Sequence, residues 1–205
     1  MKKLIICLLG ATGAGKSTIL DILVNDKSLN LHRLVYHTTR KPREGEIDGV
    51  DYNFIEENVY YDHKYTGDII EKRKYDTVYG PLYYYTTVKD IHANEDGPVI
   101  AAVSVDQYNA YKKYAIENNI EVIGIMIDVS TKTRINRLIS RAESEDDCYE
   151  ICRRVLEEKE ELSRLDRSKI YSVVNDVCDN QESSALFVAN DIKETIIKPA
   201  LSRLQ

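Results

Sequence analysis

The chain has 205 residues, of which 43% are hydrophobic and 30% are charged. The length suits one domain of above-average size, or a core domain that carries an insertion. The composition is ordinary for a soluble globular protein and argues against disorder. The net charge of −6 argues against general nucleic-acid binding, which usually needs a basic face. No apolar run approaches the roughly 18–20 residues that span a bilayer, so we expect neither an integral membrane protein nor a membrane partner.

The four cysteines indicate the compartment. Cys148 and Cys152 are close in sequence, but Cys7 and Cys178 are distant, and no histidine stands beside them at a metal-ligand spacing. Reduced thiols are therefore a better interpretation than disulfides or a zinc site. The apolar run Leu4–Leu9 is too short for a signal-peptide core, so we expect a cytoplasmic protein.

Apolar runs alternate with polar, helix-compatible stretches along most of the chain. The runs lie at residues 4–9, 99–105, 122–127 and 170–174, with a shorter strand at about 33–37. The helix-compatible stretches lie at residues 17–24, 107–118, 131–142 and 184–204. Runs that are apolar on both faces are typical of buried parallel strands. The alternation predicts a three-layer α/β/α fold around a central parallel sheet of about five strands.

Two segments break this alternation. Residues 40–96 are rich in tyrosine, glycine and proline, and short runs at 51–54 and 83–87 predict small strands. We interpret residues 40–96 as an inserted subdomain, which divides a single domain into a core of residues 1–39 and 97–205. The acidic residues 143–150 lack a core face and predict a mobile loop, and a polar helix with a solvated face is predicted over about 146–165.

Residues 10–17, Gly-Ala-Thr-Gly-Ala-Gly-Lys-Ser, fit the pattern G-x-x-x-x-G-K-[ST] between an apolar strand and a helix. Glycines let successive backbone N–H groups point at phosphate oxygens, and the helix adds the positive end of its dipole. Lys16 would contribute a charge to the β- and γ-phosphates, and the Ser17 hydroxyl is a hard oxygen ligand suited to Mg²⁺. The alternative, a glycine-rich turn with an incidental lysine, is disfavoured by the strand and helix on either side. The pattern predicts a nucleoside triphosphate site formed by Gly10, Ala11, Thr12, Gly13, Ala14, Gly15, Lys16, Ser17 and Thr18.

Residues 38–54 resemble the guanylate kinase signature T-T-R-x-P-R-x-G-E-x-[DN]-G-x-D-Y-x-F. The resemblance implies that Arg40, Arg43 and Tyr52 hold the phosphate of GMP. Two guanidinium groups and a phenol suit a monophosphate, which carries close to two negative charges and three acceptor oxygens. The alternative for the two arginines, a solvated basic turn, is disfavoured by Tyr52 and by the phosphate loop.

The resemblance continues into the part of the family that binds guanine. Glu71 falls where the family has a glutamate on the guanine edge, and residues 80–86 resemble G-N-x-Y-G-[TS] with a short insertion before them. This match implies that Tyr83 binds phosphate and that the Thr86 hydroxyl faces guanine. An ungapped match takes Tyr79 instead and puts Pro81, which has no side-chain donor, in the hydroxyl position. We therefore prefer Tyr83.

Two positions depart from the family pattern. The family motif D-x-D appears as Ser104-Val105-Asp106, so Asp106 alone is retained, and Tyr36 replaces the family serine two residues before T-T-R. Both changes touch the base pocket or the surroundings of magnesium. Asp106 and Tyr36 remain candidates for contact with GMP. The two changes bear on the identity of the substrate more than on the type of reaction.

The family lid has counterparts at residues 137–141, which resemble R-L-x-x-R, and at 151–155, which resemble I-x-x-R-L. The resemblance implies a short lid over about 141–154 and implies that Arg137, Arg141 and Arg154 reach the triphosphate, where positioned cations lower the barrier to transfer. The alternative, surface arginines paired with glutamates, fits Arg137 and also Arg153.

Asn175 and Asp176 resemble the family's turn near the adenine, with a simple turn as an equal alternative. On this match Asn175 is a candidate ATP contact. The resemblance as a whole covers about residues 4–176.

The chain is thus identified as a member of the guanylate kinase family, which implies a P-loop fold with an inserted GMP-binding subdomain and a short lid. The implied reaction is ATP + GMP giving ADP + GDP, with Mg²⁺ accompanying ATP. One alternative is a related kinase that acts on dGMP, another modified monophosphate or a sugar phosphate. The other is a non-catalytic guanylate-kinase-like binding module, which the intact phosphate loop disfavours. The sequence leaves the oligomeric state open, as monomer or homodimer.

Overall fold

The computed structural model describes residues 3–77, 80–93, 97–176 and 181–204, so Tyr79 and Cys178 lie outside the described residues. The strands are β1 (Leu4–Leu9), β2 (His32–Arg33), β3 (His37–Thr38), β4 (Asn53–Phe54), β5 (Ile69–Thr77), β6 (Gly80–Thr87), β7 (Val99–Ala102), β8 (Glu121–Asp128) and β9 (Ile170–Val174). The helices are α1 (Lys16–Asn25), α2 (Glu57–Thr66), α3 (Val88–His92), α4 (Val105–Glu117), α5 (Thr131–Ile139), α6 (Glu145–Ser163), α7 (Gln181–Ile192) and α8 (Lys198–Leu204). Within these ranges, no helix is long and apolar enough to cross a membrane.

Five strands form the main sheet in the order β2-β7-β1-β8-β9, and their pairings are all parallel. Every residue of β1 is buried, because this strand is central and has helices on both faces. Leu4, Ile6 and Leu8 pack with α1, α7 and α8, whereas Ile5 and Leu9 pack with α4. The predicted α/β/α fold around a parallel sheet of five strands is confirmed.

A second sheet has the order β4-β3-β6-β5, and α4 contacts it through β5. Side chains alternate between the two faces of a strand. In β6, Tyr83 and Tyr85 pack against Tyr60 of α2 and form a small core with it. Tyr84 and Thr86 therefore lie on the opposite face, which is turned toward the candidate site. The small strands expected at 51–54 and 83–87 are present as β4 and β6.

The prediction of a strand at 33–37 in the main sheet is wrong in the extent of the strand. Strand β2 pairs with β7, and the Leu34 N–H adds one more bond, to the Ile100 carbonyl oxygen at 3.0 Å. The chain then leaves the main sheet, and β3 pairs with β4 and β6. The second sheet thus begins ahead of residue 40. An apolar pattern indicates an extended segment but not the sheet with which its backbone pairs.

The segment 143–150, expected to be a mobile loop, is helical from Glu145 onward as the start of α6. Ser144 caps this helix: its hydroxyl accepts from the Asp147 N–H, while the Asp147 carboxylate accepts from the Ser144 N–H. Acidic residues are also favourable at a helix N-terminus, where the helix dipole is positive. The expected solvated face is confirmed, since none of the 19 residues of α6 is buried.

Candidate functional site

The loop between β1 and α1 requires glycine at several positions. Gly10, Gly13 and Gly15 have φ angles of 144°, 83° and 89°, which residues with a side chain rarely adopt. A Cβ atom on Gly10 would lie 2.8 Å from the Ile127 carbonyl oxygen, and one on Gly13 would lie 2.9 Å from the Arg134 carbonyl oxygen. The loop is therefore held closely against β8 and α5. Its backbone N–H groups lie at the N-terminus of α1, where an anion is favoured.

Lys16 is the first residue of α1 and turns its side chain back over this loop. Its ammonium group donates to the carbonyl oxygens of Gly10, at 2.6 Å, and of Ala11, at 3.1 Å. Burial lowers the pKa of Lys16, and nearby glutamates of α6 oppose that shift. Lys16 is thus a partly dehydrated charge beside the loop. The next two residues, Ser17 and Thr18, are exposed.

A carboxylate from α6 lies on the same loop. Glu158 accepts hydrogen bonds from the Thr12 N–H, at 3.0 and 2.9 Å, and from the Thr12 hydroxyl. It also forms a salt bridge of 3.3 Å with Arg134, whose side chain is buried. The acidic run of α6 indicated only a solvated face, because helical periodicity does not identify which glutamate turns inward. Sequence reasoning therefore missed Glu158.

Arg137 and Asn175, both expected to meet ATP, are buried against the inner side of the loop. Arg137 donates to the carbonyl oxygens of Gly13, at 3.4 Å, and of Asn175, at 3.0 Å. The Asn175 side-chain amide donates to the Ala14 carbonyl oxygen at 2.9 Å. The alternative of a surface arginine is wrong for Arg137. Both side chains hold the loop in shape, and both line a pocket of about 220 Å³ together with Gly15.

Arg141 and Arg154, the two remaining arginines of the expected lid, line another cleft, of about 360 Å³, together with Thr12. Arg154 is exposed, and its Nε donates to a carboxylate oxygen of Glu150 at 2.7 Å. The neighbouring Arg153 pairs with Glu150 and also with Glu157, as expected of a surface arginine. The structure thus brings Arg141 and Arg154 to one cleft beside the phosphate loop.

Arg40 is the centre of a cluster on the second sheet. Its guanidinium group forms paired hydrogen bonds of 2.9 and 2.7 Å with Glu46, and its Nε donates to the Tyr84 hydroxyl at 3.1 Å. The Tyr52 ring lies 5.5 Å from this guanidinium group. Arg40 holds the pKa of Glu46 at about 2, well below its usual range. The Arg43 side chain is exposed, while its backbone N–H donates to Glu46 at 2.6 Å.

The cluster contains Tyr84 and not Tyr83. The Tyr83 ring stacks on Tyr60 at 3.9 Å between ring centres, on the face of β6 that packs under α2. Tyr84 lies on the face that carries Arg40 and Thr86. The alternation of side chains in a strand could have revealed this, because residues that share a face with Thr86 must be an even number of positions away. The match that selected Tyr83 ignored that constraint.

Glu71 is the buried carboxylate of the site, with 7% of its surface exposed. Its Oε1 accepts from the Thr86 hydroxyl at 3.0 Å and from the Gln107 side-chain amide at 3.2 Å. Thr86 in turn contacts the Tyr111 hydroxyl at 2.8 Å. Burial raises the pKa of Glu71, and Arg73 and the two hydrogen bonds oppose that shift. The sequence predicted Glu71 and Thr86, but Gln107 and Tyr111 were missed.

The two departures from the family pattern have structural explanations. Ser104 caps α4, accepting from the Gln107 N–H, and this role needs a short polar side chain. Asp106, in the first turn of α4, is exposed, and the structure does not bring its side chain into the hydrogen bonds of Glu71. The Tyr36 hydroxyl donates to the Ala102 carbonyl oxygen at 3.1 Å, and burial raises its pKa.

One cleft of about 220 Å³ is lined by residues of both halves of the candidate site. Lys16 of the phosphate loop and Glu158, which binds that loop, are among them. Arg73 of β5 and Gln107 of α4 also line this cleft. The phosphate loop and the surroundings of Glu71 thus contribute residues to one space.

The fold and the site define a class of protein: a mixed α/β protein in which a lysine-bearing glycine loop shares one cleft with Arg73 and Gln107 of the acceptor half. A protein-family model described as guanylate kinase matches residues 1–185. The chain therefore belongs to the guanylate kinase family.

Individual relatives agree with this assignment. A guanylate kinase of Wolbachia pipientis wMel is 30% identical over 200 residues, which cover 96% of this chain and 95% of the relative. A guanylate kinase of Mycoplasmopsis pulmonis (strain UAB CTIP) is 32% identical over 167 residues, covering 80% of this chain and 83% of the relative. The crystal structure of guanylate kinase from Anaplasma phagocytophilum matches with a TM-score of 0.61 at 22% identity, covering 94% of this chain and 85% of that one. At that identity the structural match shows the fold alone.

Proposed function

We propose that the protein is a nucleoside-monophosphate kinase that transfers the γ-phosphoryl group of ATP to GMP and releases ADP and GDP. The observation that carries the proposal is one cleft that is lined both by Lys16 of the phosphate loop and by Gln107, whose side-chain amide donates to Glu71. Membership of the guanylate kinase family supports it, as do the names of the relatives.

On the donor side, residues 10–18 bind the phosphates of ATP through their backbone N–H groups and through Lys16. Arg137 and Asn175 act from behind the loop by fixing its carbonyl groups. The exposed Ser17 hydroxyl fits Mg²⁺, because this ion prefers oxygen ligands and takes the rest of its shell from phosphates and water. Bound there, Mg²⁺ would neutralise charge on the β- and γ-phosphates.

On the acceptor side, Arg40, Arg43, Tyr52 and Tyr84 hold the monophosphate. Arg40 is pre-oriented by Glu46, so little conformational entropy is lost when it binds an anion. We assign the tyrosine hydroxyl to Tyr84 in place of Tyr83, since Tyr84 already contacts Arg40. Asp106 contributes at most through solvent, because its side chain is exposed.

The chemistry needs no general base. A phosphate oxygen of GMP forms a bond to the γ-phosphorus, while the bond from that phosphorus to the β-phosphate oxygen of ATP breaks. The protein contributes by positioning the two phosphates, neutralising their charge and excluding water. We propose that the insertion, about residues 40–96, and the lid, about 141–154, close over the two nucleotides. Glu158 must leave Thr12 when the donor phosphates arrive.

We also propose a cytoplasmic location. Cys7, Cys148 and Cys152 are free thiols, and the last two are exposed on α6. Exposed thiols persist in reduced form where glutathione and thioredoxin maintain them.

Replacing Tyr84 with phenylalanine is expected to raise the KM for GMP about 10-fold, because one hydrogen bond to the monophosphate is lost. The matched variant Tyr83→Phe removes a hydroxyl from the opposite face of the same strand. Steady-state kinetics on both variants check the assignment. A larger effect from Tyr83→Phe would return the role to Tyr83.

Glu71→Gln is expected to lower kcat/KM for GMP about 10²-fold, because the carboxylate accepts from the N1–H and N2–H₂ donors of guanine and an amide offers one acceptor. Activity with AMP should change little, since adenine presents a lone pair at N1. Asp76→Asn, which removes an exposed carboxylate from the same strand, is the control. If the two variants behave alike, Glu71 has no role in base recognition.

The whole proposal is tested by measuring ADP release from ATP across a panel of monophosphates: GMP, dGMP, AMP, pyrimidine monophosphates and a sugar phosphate. We expect strong preference for GMP over AMP. Comparable rates with AMP or a pyrimidine monophosphate would still support a nucleoside-monophosphate kinase but would refute the assignment of guanine as the preferred base. A protein that binds GMP but transfers nothing would be a binding module.

A further inference from the structure

Arg73 is a cation of the acceptor side to which neither sequence reasoning nor the family signature gave a role. It lies two residues after Glu71 in β5, on the same face of the strand, and it pairs in the sheet with Tyr84. Its guanidinium carbon lies 5.4 Å from the centre of the Tyr36 ring and 5.8 Å from that of the Tyr84 ring. The two rings therefore fix where the positive charge stands.

The Nε of Arg73 is an unused hydrogen-bond donor within the part of the chain that the structure describes. This nitrogen is buried and, among the described residues, has no hydrogen-bond partner. The nearest carboxylate oxygen, Oε2 of Glu71, lies 3.9 Å from that Nε, which is too long for a hydrogen bond. Arg40 differs, because Glu46 already accepts two of its hydrogen bonds. Buried polar groups are nearly always paired, so an unpaired donor beside a cleft suggests a ligand.

The position of Arg73 in the cleft indicates the chemistry of that ligand. About a third of the Arg73 side chain is exposed, and it lines the same cleft of about 220 Å³ as Lys16. A guanidinium group is suited to two oxygens of one phosphate. The Tyr84 ring next to it belongs to the cluster of Arg40 and Tyr52.

We infer that Arg73 binds the monophosphate of the acceptor nucleotide, from the side that faces the phosphate loop. This inference rests on the proposed function and adds a third arginine to Arg40 and Arg43. Arg73 then meets the acceptor phosphate at the point where the γ-phosphoryl group of the donor approaches, and it reduces the repulsion between the two anions.

The competing role for Arg73 is to balance the charge of Glu71 and so to position the carboxylate against the base. The two roles differ in what the ligand must carry. If Arg73 contacts the phosphate, replacing it weakens the binding of GMP and leaves the binding of guanosine unchanged, because guanosine has no phosphate. If Arg73 positions the base-binding carboxylate, replacing it weakens the binding of both ligands equally.

The test measures the dissociation constants of GMP and guanosine by calorimetry for the wild type, Arg73→Gln and Lys72→Gln. Lys72 is the matched control, since it is the adjacent residue of β5, is exposed, and gives the same change of charge. We expect Arg73→Gln to weaken GMP binding about 10- to 100-fold and guanosine binding less than about twofold. Lys72→Gln should change neither. Arg73→Lys keeps the positive charge and loses the paired N–H donors of the guanidinium group, so its affinity for GMP should lie between those of Arg73→Gln and the wild type.

Each outcome decides a different point. Equal weakening of GMP and guanosine, or an Arg73→Gln protein that matches Lys72→Gln, overturns the phosphate contact and leaves the proposed function standing. A wild-type protein that neither binds nor phosphorylates GMP overturns both. Thermal melts of all variants confirm that the comparison is made on folded protein, and Arg73→Lys supplies the comparison if Arg73→Gln does not fold.

Discussion

Replacing Lys16 with methionine is expected to abolish turnover while leaving the protein folded. The ammonium group lies beside the phosphate loop, donates to two of its carbonyl groups and is partly desolvated, so its charge acts strongly on a bound phosphate. Methionine has a similar length but no charge. We expect ADP release to fall by at least about 10³-fold, because stabilising the negative charge on the moving phosphoryl group is the main source of catalysis in such a site.

The control is Lys113→Met, which removes an exposed lysine from α4. Thermal melts of both variants show whether lost activity reflects lost structure. Near-normal ADP release from a folded Lys16→Met protein would refute the assignment of the phosphate loop.

Arg154→Ala is expected to lower kcat by up to about 10³-fold, by analogy with arginine fingers, and to leave the KM for GMP nearly unchanged. Arg154 pairs on the surface with Glu150, and such pairs contribute little to stability, so the side chain can leave Glu150 for the triphosphate. An interaction that forms only in the transition state appears in kcat rather than in KM.

Arg153→Ala is the matched control, because Arg153 is the adjacent arginine of α6 and shares the partner Glu150. We expect it to behave like the wild type. If Arg154→Ala changes the KM for GMP and not kcat, Arg154 belongs to the acceptor pocket.

The parts of the fold that the sequence predicted share one property: their residues carry the structural signal locally. Strand β1 is apolar at every position because both of its faces are covered. The glycines of the loop stand where the backbone needs positive φ or where a Cβ would collide with a carbonyl oxygen. Patterns of this kind can be recognised in the sequence without any knowledge of the tertiary structure.

The parts that were missed depend on long-range contacts or on register. Glu158 reaches Thr12 across 146 positions of the chain, and nothing around Glu158 distinguishes it from its acidic neighbours. Tyr83 and Tyr84 are chemically identical, and their roles differ only because successive residues of a strand point to opposite faces. The passage of the chain from the main sheet at β2 to the second sheet at β3 likewise depends on backbone pairing, which side-chain patterns do not specify.

The placement of Glu158 and Arg154 on one helix has a consequence for the apparent affinity of the donor site. The two residues are four positions apart in α6, so they lie near each other and move together. A shift of α6 that carries Arg154 toward the triphosphate also moves Glu158, whose carboxylate already binds the loop. On the proposed mechanism, ATP that binds the loop replaces this carboxylate, so that one anion is exchanged for another. The apparent dissociation constant of ATP would then equal the intrinsic constant divided by the fraction of molecules in which Glu158 has left Thr12. The return of the same carboxylate after transfer would compete with ADP for the loop and so shorten the time that product remains bound.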